Sequence, residues 1–118
     1  MNMSEYQRLA MRTANFAIYS SDMDAVVNAA LGLCGEAGEF ADILKKHLYQ
    51  NSEEHPTPID RTHLAKELGD ILWYVALACE GLGTNISTIM EINIEKLKKR
   101  YPDGFSADRS QHREKGDI

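Results

Sequence analysis

Glu36-x-x-Glu39 and Glu67-x-x-Asp70 are the residues of this chain whose types and spacing point most directly to chemistry. Residues three apart on a helix share a face, so each pair aims two carboxylates at one spot. Both pairs lie in amphipathic stretches, beside the apolar stripe rather than opposite it. A carboxylate beside a core is costly unless something positive meets it. Four of them from two adjacent helices make an all-oxygen site of the kind hard divalent cations favour. One acidic pair alone reads as a solvated helix face. Two pairs, each bordering a continuous stripe and separated by one loop, weaken that reading. Di-iron helical bundles typically use Glu-x-x-His, and neither Glu36 nor Glu67 has a histidine three residues on. All-carboxylate ligation suits Mg²⁺, with Mn²⁺ as a substitute; such ions keep several waters and bridge to substrate phosphates.

Other polar residues fall near this acidic face. Asn93 stands in an inward stripe where Ile or Leu is expected, and reads equally as a satisfied core amide or a ligand contact. Lys96 follows it one turn later, and Lys45, Lys46 and Arg100 add cations able to meet phosphate oxygens. Each lysine taken singly reads as solvated. Tyr74, one turn beyond Asp70, is either a core aromatic with a polar tip or a phosphate contact. Arg12 and Thr13, beside Leu9 and Phe16, are placed to line a base pocket. His47 and His63 read as structural or exposed, and Trp73 falls on the side opposite the acidic flank.

The elements that must position these groups all read as helices. The first runs from Ser4, its N-cap, to Ala17, and Ser20-Ser21-Asp22 breaks it. The second runs from Met23 to Tyr49, with Val26, Ala30, Leu33, Ala37, Phe40, Leu44 and Leu48 on one stripe. Asn51 to Pro58 is a loop. Asp60 caps a third helix with the stripe Leu64, Leu68, Ile71, Val75, Ala78 and Leu82, ended by Gly81 and Gly83. Asn85 caps a fourth through Arg100, with Ile86, Ile89, Met90 and Leu97 inward, and Pro102 stops it. Packed antiparallel across their loop, the second and third helices bring both acidic pairs to one cavity. Gly32, Gly35, Gly38 and Gly69 are wasteful in helices unless a backbone or ligand approaches closely there. The expectation is an all-α, four-helix-type bundle over residues 1–105, followed by a loose polar tail at 106–118.

Composition sets the outer bounds. A chain of 118 residues with 43% hydrophobic and 26% charged residues reads as one globular domain. So small a domain gains burial by oligomerising, and Trp73 with Ala76 offers an apolar patch for that purpose. A formal charge of -5 argues against a nucleic-acid polymer as partner. No signal peptide is visible, and no apolar run approaches the ~20 residues needed to cross a bilayer, so a cytoplasmic protein without a membrane partner is expected. Cys34 and Cys79 lie in apolar helical context without zinc spacing and read as buried free thiols.

Gly35-Glu36-Ala37-Gly38-Glu39 followed by Glu67-Leu68-Gly69-Asp70 resembles the E-x-x-E…E-x-x-D signature of the MazG-like nucleotide pyrophosphohydrolases, in the all-α NTP pyrophosphatase superfamily. The resemblance continues through Asp70-Ile71-Leu72-Trp73-Tyr74 and Asn93-x-x-Lys96-Leu97-x-x-Arg100-Tyr101-Pro102-x-Gly104-Phe105. It implies a helical bundle that cleaves nucleoside triphosphates between the α and β phosphates, with Mg²⁺, to give a monophosphate and pyrophosphate. By position, Glu36, Glu39, Glu67 and Asp70 would be metal ligands, and one of them, Glu39 being the candidate, would orient or deprotonate the attacking water. Asn93 and Lys96 would contact phosphate or sugar, with Tyr74 nearby. The resemblance also implies a homodimer or homotetramer whose sites are built partly from a neighbouring chain. A regulatory bundle that binds nucleotide and metal with little turnover shares the same residues and is the alternative.

Overall fold

The computed structural model describes residues 1–117, and among them every regular element is helical. The helices are α1 Met3–Ala10, α2 Asp22–Tyr49, α3 Arg61–Gly81, α4 Ile86–Arg100 and α5 Ala107–Gln111. Caps start them where the sequence supplies a short polar side chain. Ser21 Oγ accepts from Asp24 N at 3.1 Å, Asp60 Oδ1 from His63 N at 3.0 Å, and Asn85 Oδ1 from Thr88 N at 2.9 Å. Each bond satisfies one of the N–H groups that a helix start leaves without a partner. None of the described helices is long and apolar enough to cross a membrane.

The first helix departs from expectation at both ends. Its cap is Asn2, not Ser4, and it stops at Ala10 instead of reaching Ala17. Two 3-10 turns, Met11–Thr13 and Phe16–Ile18, follow. The cause is local. Trp73 Nε1 donates to the Ala10 carbonyl at 3.2 Å and to Thr13 Oγ1 at 2.7 Å, while Thr13 Oγ1 donates to the same carbonyl at 2.7 Å. The carbonyl that Ala14 N–H would need to continue the helix is thus occupied, and Ala14 N turns to Met11 O.

The fold rests on α2 and α3, packed antiparallel. Ala25, Ala29 and Leu77 form one buried cluster, and Ala76, Cys79 and Ile86 form a second. Met11 packs against both clusters and joins them. Small residues on α2 let the axes approach, since side-chain size at the contact sets the separation of helices. Gly32 is where this matters most: a Cβ there would overlap the Tyr74 ring. At the other end, a Cβ on Gly81 would fall 2.7 Å from the Asp22 carbonyl. No such crowding surrounds Gly35, Gly38 or Gly69. The most buried residues of α2 are Ala25 and Ala29; of the predicted stripe, Val26, Leu33, Phe40 and Leu44 are half-buried, as Gly32, Glu36 and Ile43 are, while Ala30, Ala37 and Leu48 are exposed. On α3, Leu68 and Leu82 are likewise exposed.

Further expectations are corrected by the packing. Ala76 is fully buried and Trp73 is half-buried against α1, so they form no free patch. Cys79 is buried, and burial raises its thiol pKa, but Cys34 is exposed. Residues after Phe105 are not simply loose: α5 forms, and Arg100 Nε and Nη2 both donate to the Asp117 carboxylate at 2.6 Å. Helix α4 buries only its start against α1 and α3. Ile86 is buried, whereas Ile89, Met90 and Leu97, expected inward, are exposed. The radius of gyration is 18.1 Å, against about 13.5 Å for a compact chain of this length. Among the described residues, apolar side chains on the helix faces are left exposed.

One buried amide ties the start of α4 to the rest. Gln7 Nε2 donates to Glu80 Oε1 at 2.7 Å and to the Thr84 carbonyl at 3.4 Å, and Gln7 Oε1 accepts from Ile86 N at 2.9 Å. Gln7 is only 7% exposed. Replacing it by leucine strands the buried Ile86 N–H, which typically costs about 1–3 kcal/mol. Urea denaturation of Gln7→Leu is expected to show a loss in that range, and an unchanged midpoint would contradict this role.

Candidate metal centre

The antiparallel register that sets Gly32 against Tyr74 also carries Glu36, one turn along α2, to the acidic end of α3. There Glu36, Glu67 and Asp70 each offer one carboxylate oxygen, and the three oxygens lie within 4.8 Å of one another. Glu67 is 6% exposed, Glu36 is half-buried and Asp70 is open to solvent. The centre is therefore anchored in the helix interface and reachable from outside. Both Glu36 and Glu67 lie on packed faces, not at the edges where the stripes place them. Glu39 is exposed and stands outside the three-oxygen group.

The electrostatics are those of clustered like charges. Burial raises the Glu36 carboxyl pKa, and the charges of Glu39, Asp70 and Glu67 raise it further. Every charge that moves it is negative. Like charges held together oppose each other's ionisation, and a cation relieves them all. The donor set is all oxygen and anionic, and it fits a hard divalent ion.

Two further residues lie beside the centre: His63, which reads in the sequence as structural or exposed, and Tyr6, which the sequence does not mark as a site residue. His63 Nε2 lies 2.8 Å from Glu67 Oε1. Tyr6, on α1, donates its hydroxyl to the Gly69 carbonyl at 3.4 Å, and burial together with the Asp70 charge raises its phenol pKa. The spacing of His63 from Glu67, one helical turn, was a usable signal. Tyr6 was not findable, because its place depends on how α1 crosses α3.

The other candidates are scattered in the single chain. The Tyr74 ring lies on the α2 backbone at Gly32, with its edge toward Trp73 at a centroid separation of 5.0 Å. Lys46 is paired with Asp42 at 2.6 Å; with Lys45 it holds the Asp42 carboxyl down at about 2. Arg12 lines a shallow cleft with Arg8, Glu80 and Asn85. Glu80 is ten residues beyond Asp70 on α3, about 15 Å along the axis. Asn93 is exposed on α4, and Lys96 lines a cavity of about 830 Å³ between α4 and the C-terminal segment, beside Arg100 and Asp117. Helix α4 packs against α1 and α3.

The raised Glu36 pKa has a definite consequence for stability. A carboxyl with a folded pKa above its unfolded value contributes stability that is fully present below the unfolded pKa, near 4.3. That contribution is lost as pH rises through the folded pKa. The metal-free protein is therefore penalised at neutral pH, and Glu36→Gln removes the penalty. Melting curves without metal should show Glu36→Gln gaining on the parent as pH rises from about 4 to 7. A Glu36→Gln protein that melts lower than the parent at pH 7 would make this acid a structural one.

The sequence profile of the MazG nucleotide pyrophosphohydrolase domain matches residues 26–105, which include all three residues of the centre. The Gene 37 protein of Mycobacterium phage L5 is 37% identical over 109 residues, covering 88% of this chain and 92% of its own length. No solved structure matches. An all-α hairpin carrying clustered carboxylates at E-x-x-E…E-x-x-D positions, under a profile match across most of its length, makes this chain a member of the MazG nucleotide pyrophosphohydrolase family.

Proposed function

We propose that the protein is a Mg²⁺-dependent nucleoside triphosphate pyrophosphohydrolase, cleaving between the α and β phosphates to release a nucleoside or deoxynucleoside monophosphate and pyrophosphate. The observation that carries this reading is the group of three carboxylate oxygens within 4.8 Å, at positions that fit the family signature. Glu36, Glu67 and Asp70 would hold the cation. Bound there, a divalent ion supplies charge neutralisation for phosphate oxygens and lowers the pKa of a water. Glu39, exposed one turn beyond Glu36, is free to accept a proton from the attacking water or to join the ligands. Mn²⁺ would substitute for Mg²⁺, since both take oxygen donors.

Phosphoryl transfer works chiefly by placement and electrostatics, so cations must meet the polyphosphate. Lys96, with Asn93, is the candidate, but it sits on α4, which buries only its start against α1 and α3. The exposed apolar side chains Ile89, Met90, Ile92 and Ile94 on the same helix favour a homodimer or homotetramer. In such an assembly α4 of a neighbouring chain would complete the site. A cytoplasmic setting goes with this substrate. The separation of Lys96 from the acids also favours the alternative, a regulatory bundle that binds metal and nucleotide with little turnover, if no assembly forms.

A panel of natural and modified triphosphates, with monophosphate and pyrophosphate assayed separately, divides these readings. Steady release of both products supports the hydrolase, and tight binding without release supports the regulatory bundle. Glu67→Gln and Glu39→Gln should keep helical content and assembly but lose more than the roughly 10–100-fold typical of outer partners of a metal site. Either variant folded and fully active would remove that residue from the machinery.

A further inference from the structure

Glu67 is the least exposed of the three acids, and its side chain is 8% exposed. A glutamate has three rotatable bonds, and ordering them costs entropy that some contact must offset. The contact present is His63, with Nε2 at 2.8 Å from Oε1. Along one face of α3, Glu67 stands between His63, four residues before it, and Asp70, three residues after it. Its carboxylate is thus flanked by an imidazole on one side and by the acidic group on the other. His63 itself contributes no atom to the set of mutually close ligand atoms among the described residues. Its backbone is fixed independently, because His63 N–H is the donor to the Asp60 cap at 3.0 Å.

From this arrangement we infer that His63 is a positioning residue for Glu67, holding one carboxylate oxygen so that the other is presented to the metal. The inference rests on the metal-centre reading given above. Partners that hold a ligating group are a general requirement of metal sites: without them the ligand rotates, and affinity falls although every ligand remains. Imidazole suits this place. It offers one N–H to a carboxylate while its other face stays in water, and the His63 side chain is 54% exposed. The chain of support runs from the Asp60 cap to His63, from His63 to Glu67, and from Glu67 to the acidic group.

Mn²⁺ titration followed by electron paramagnetic resonance, at pH 8 without nucleotide, tests the inference through metal affinity alone. His63→Leu removes the donor and should weaken Mn²⁺ binding about 10–100-fold. His63→Gln keeps an N–H donor of similar reach and should stay within about fivefold of the parent. Circular dichroism should be the same for all three proteins. Unchanged binding by His63→Leu would overturn the inference, and so would tighter binding, which would mark His63 as a competitor of the metal for Glu67. Equal loss in both variants would overturn it too, by making the imidazole nitrogen a direct ligand. A parent that takes up no Mn²⁺ would end both this inference and the metal-centre reading. A parent that binds Mn²⁺ but releases no pyrophosphate would defeat only the hydrolase, and the His63 comparison would still decide.

Discussion

Like-charge repulsion, held in place by helix packing, is the constraint on which this structure turns. Glu36, Glu67 and Asp70 are brought together because α2 and α3 bury small residues between them, not because the acids attract. The packing supplies the free energy and the acids return part of it. The folded chain is therefore penalised at neutral pH: burial first, and then the charges of Glu39, Asp70 and Glu67, raise the Glu36 pKa. Evolution commonly keeps such costs where function needs them. The same repulsion would favour a bound cation, since binding one would relieve several unfavourable contacts together.

The helix pair has to be close and in register for this to work. Gly32 admits the Tyr74 ring to the α2 backbone, and Gly81 admits the start of α2 to the end of α3. Between these points Ala25 and Ala29 face Leu77. One turn along from Gly32 lies Glu36, and one turn back from Tyr74 lies Asp70. Close packing and the placement of the carboxylates are thus one feature. Tyr6 and Trp73 extend this outward: the first ties α1 to the Gly69 carbonyl, and the second ends α1 by taking the Ala10 carbonyl.

How far all this was legible in the sequence depended on the range of the contacts involved. Caps at Asp60 and Asn85 and the extents of α2, α3 and α4 follow from local chemistry, and they were readable. The acidic spacing was local too, so the assembly of Glu36, Glu67 and Asp70 needed only the added step of an antiparallel hairpin. What was not legible depended on remote partners. The early end of α1 is set by Trp73, sixty residues away. The centre of the α2 contact was hidden because periodicity marks Ala30 and Leu48 as inward, and both are exposed, whereas close approach selects Ala29 and Gly32. Lys46 looked available for phosphate, yet Asp42, one turn earlier, holds it. The exposed apolar length of α4 is a further case, since periodicity reports that a face needs burial without naming what buries it.

Whether these carboxylates grip a divalent cation is read most plainly by anomalous scattering from crystals grown with Mn²⁺ and a non-hydrolysable triphosphate. A manganese peak bonded to Glu36, Glu67 and Asp70, with phosphate oxygens in its remaining positions, is the predicted result. Manganese bound elsewhere, or three carboxylates turned individually toward solvent with the nucleotide at another surface, would contradict the account.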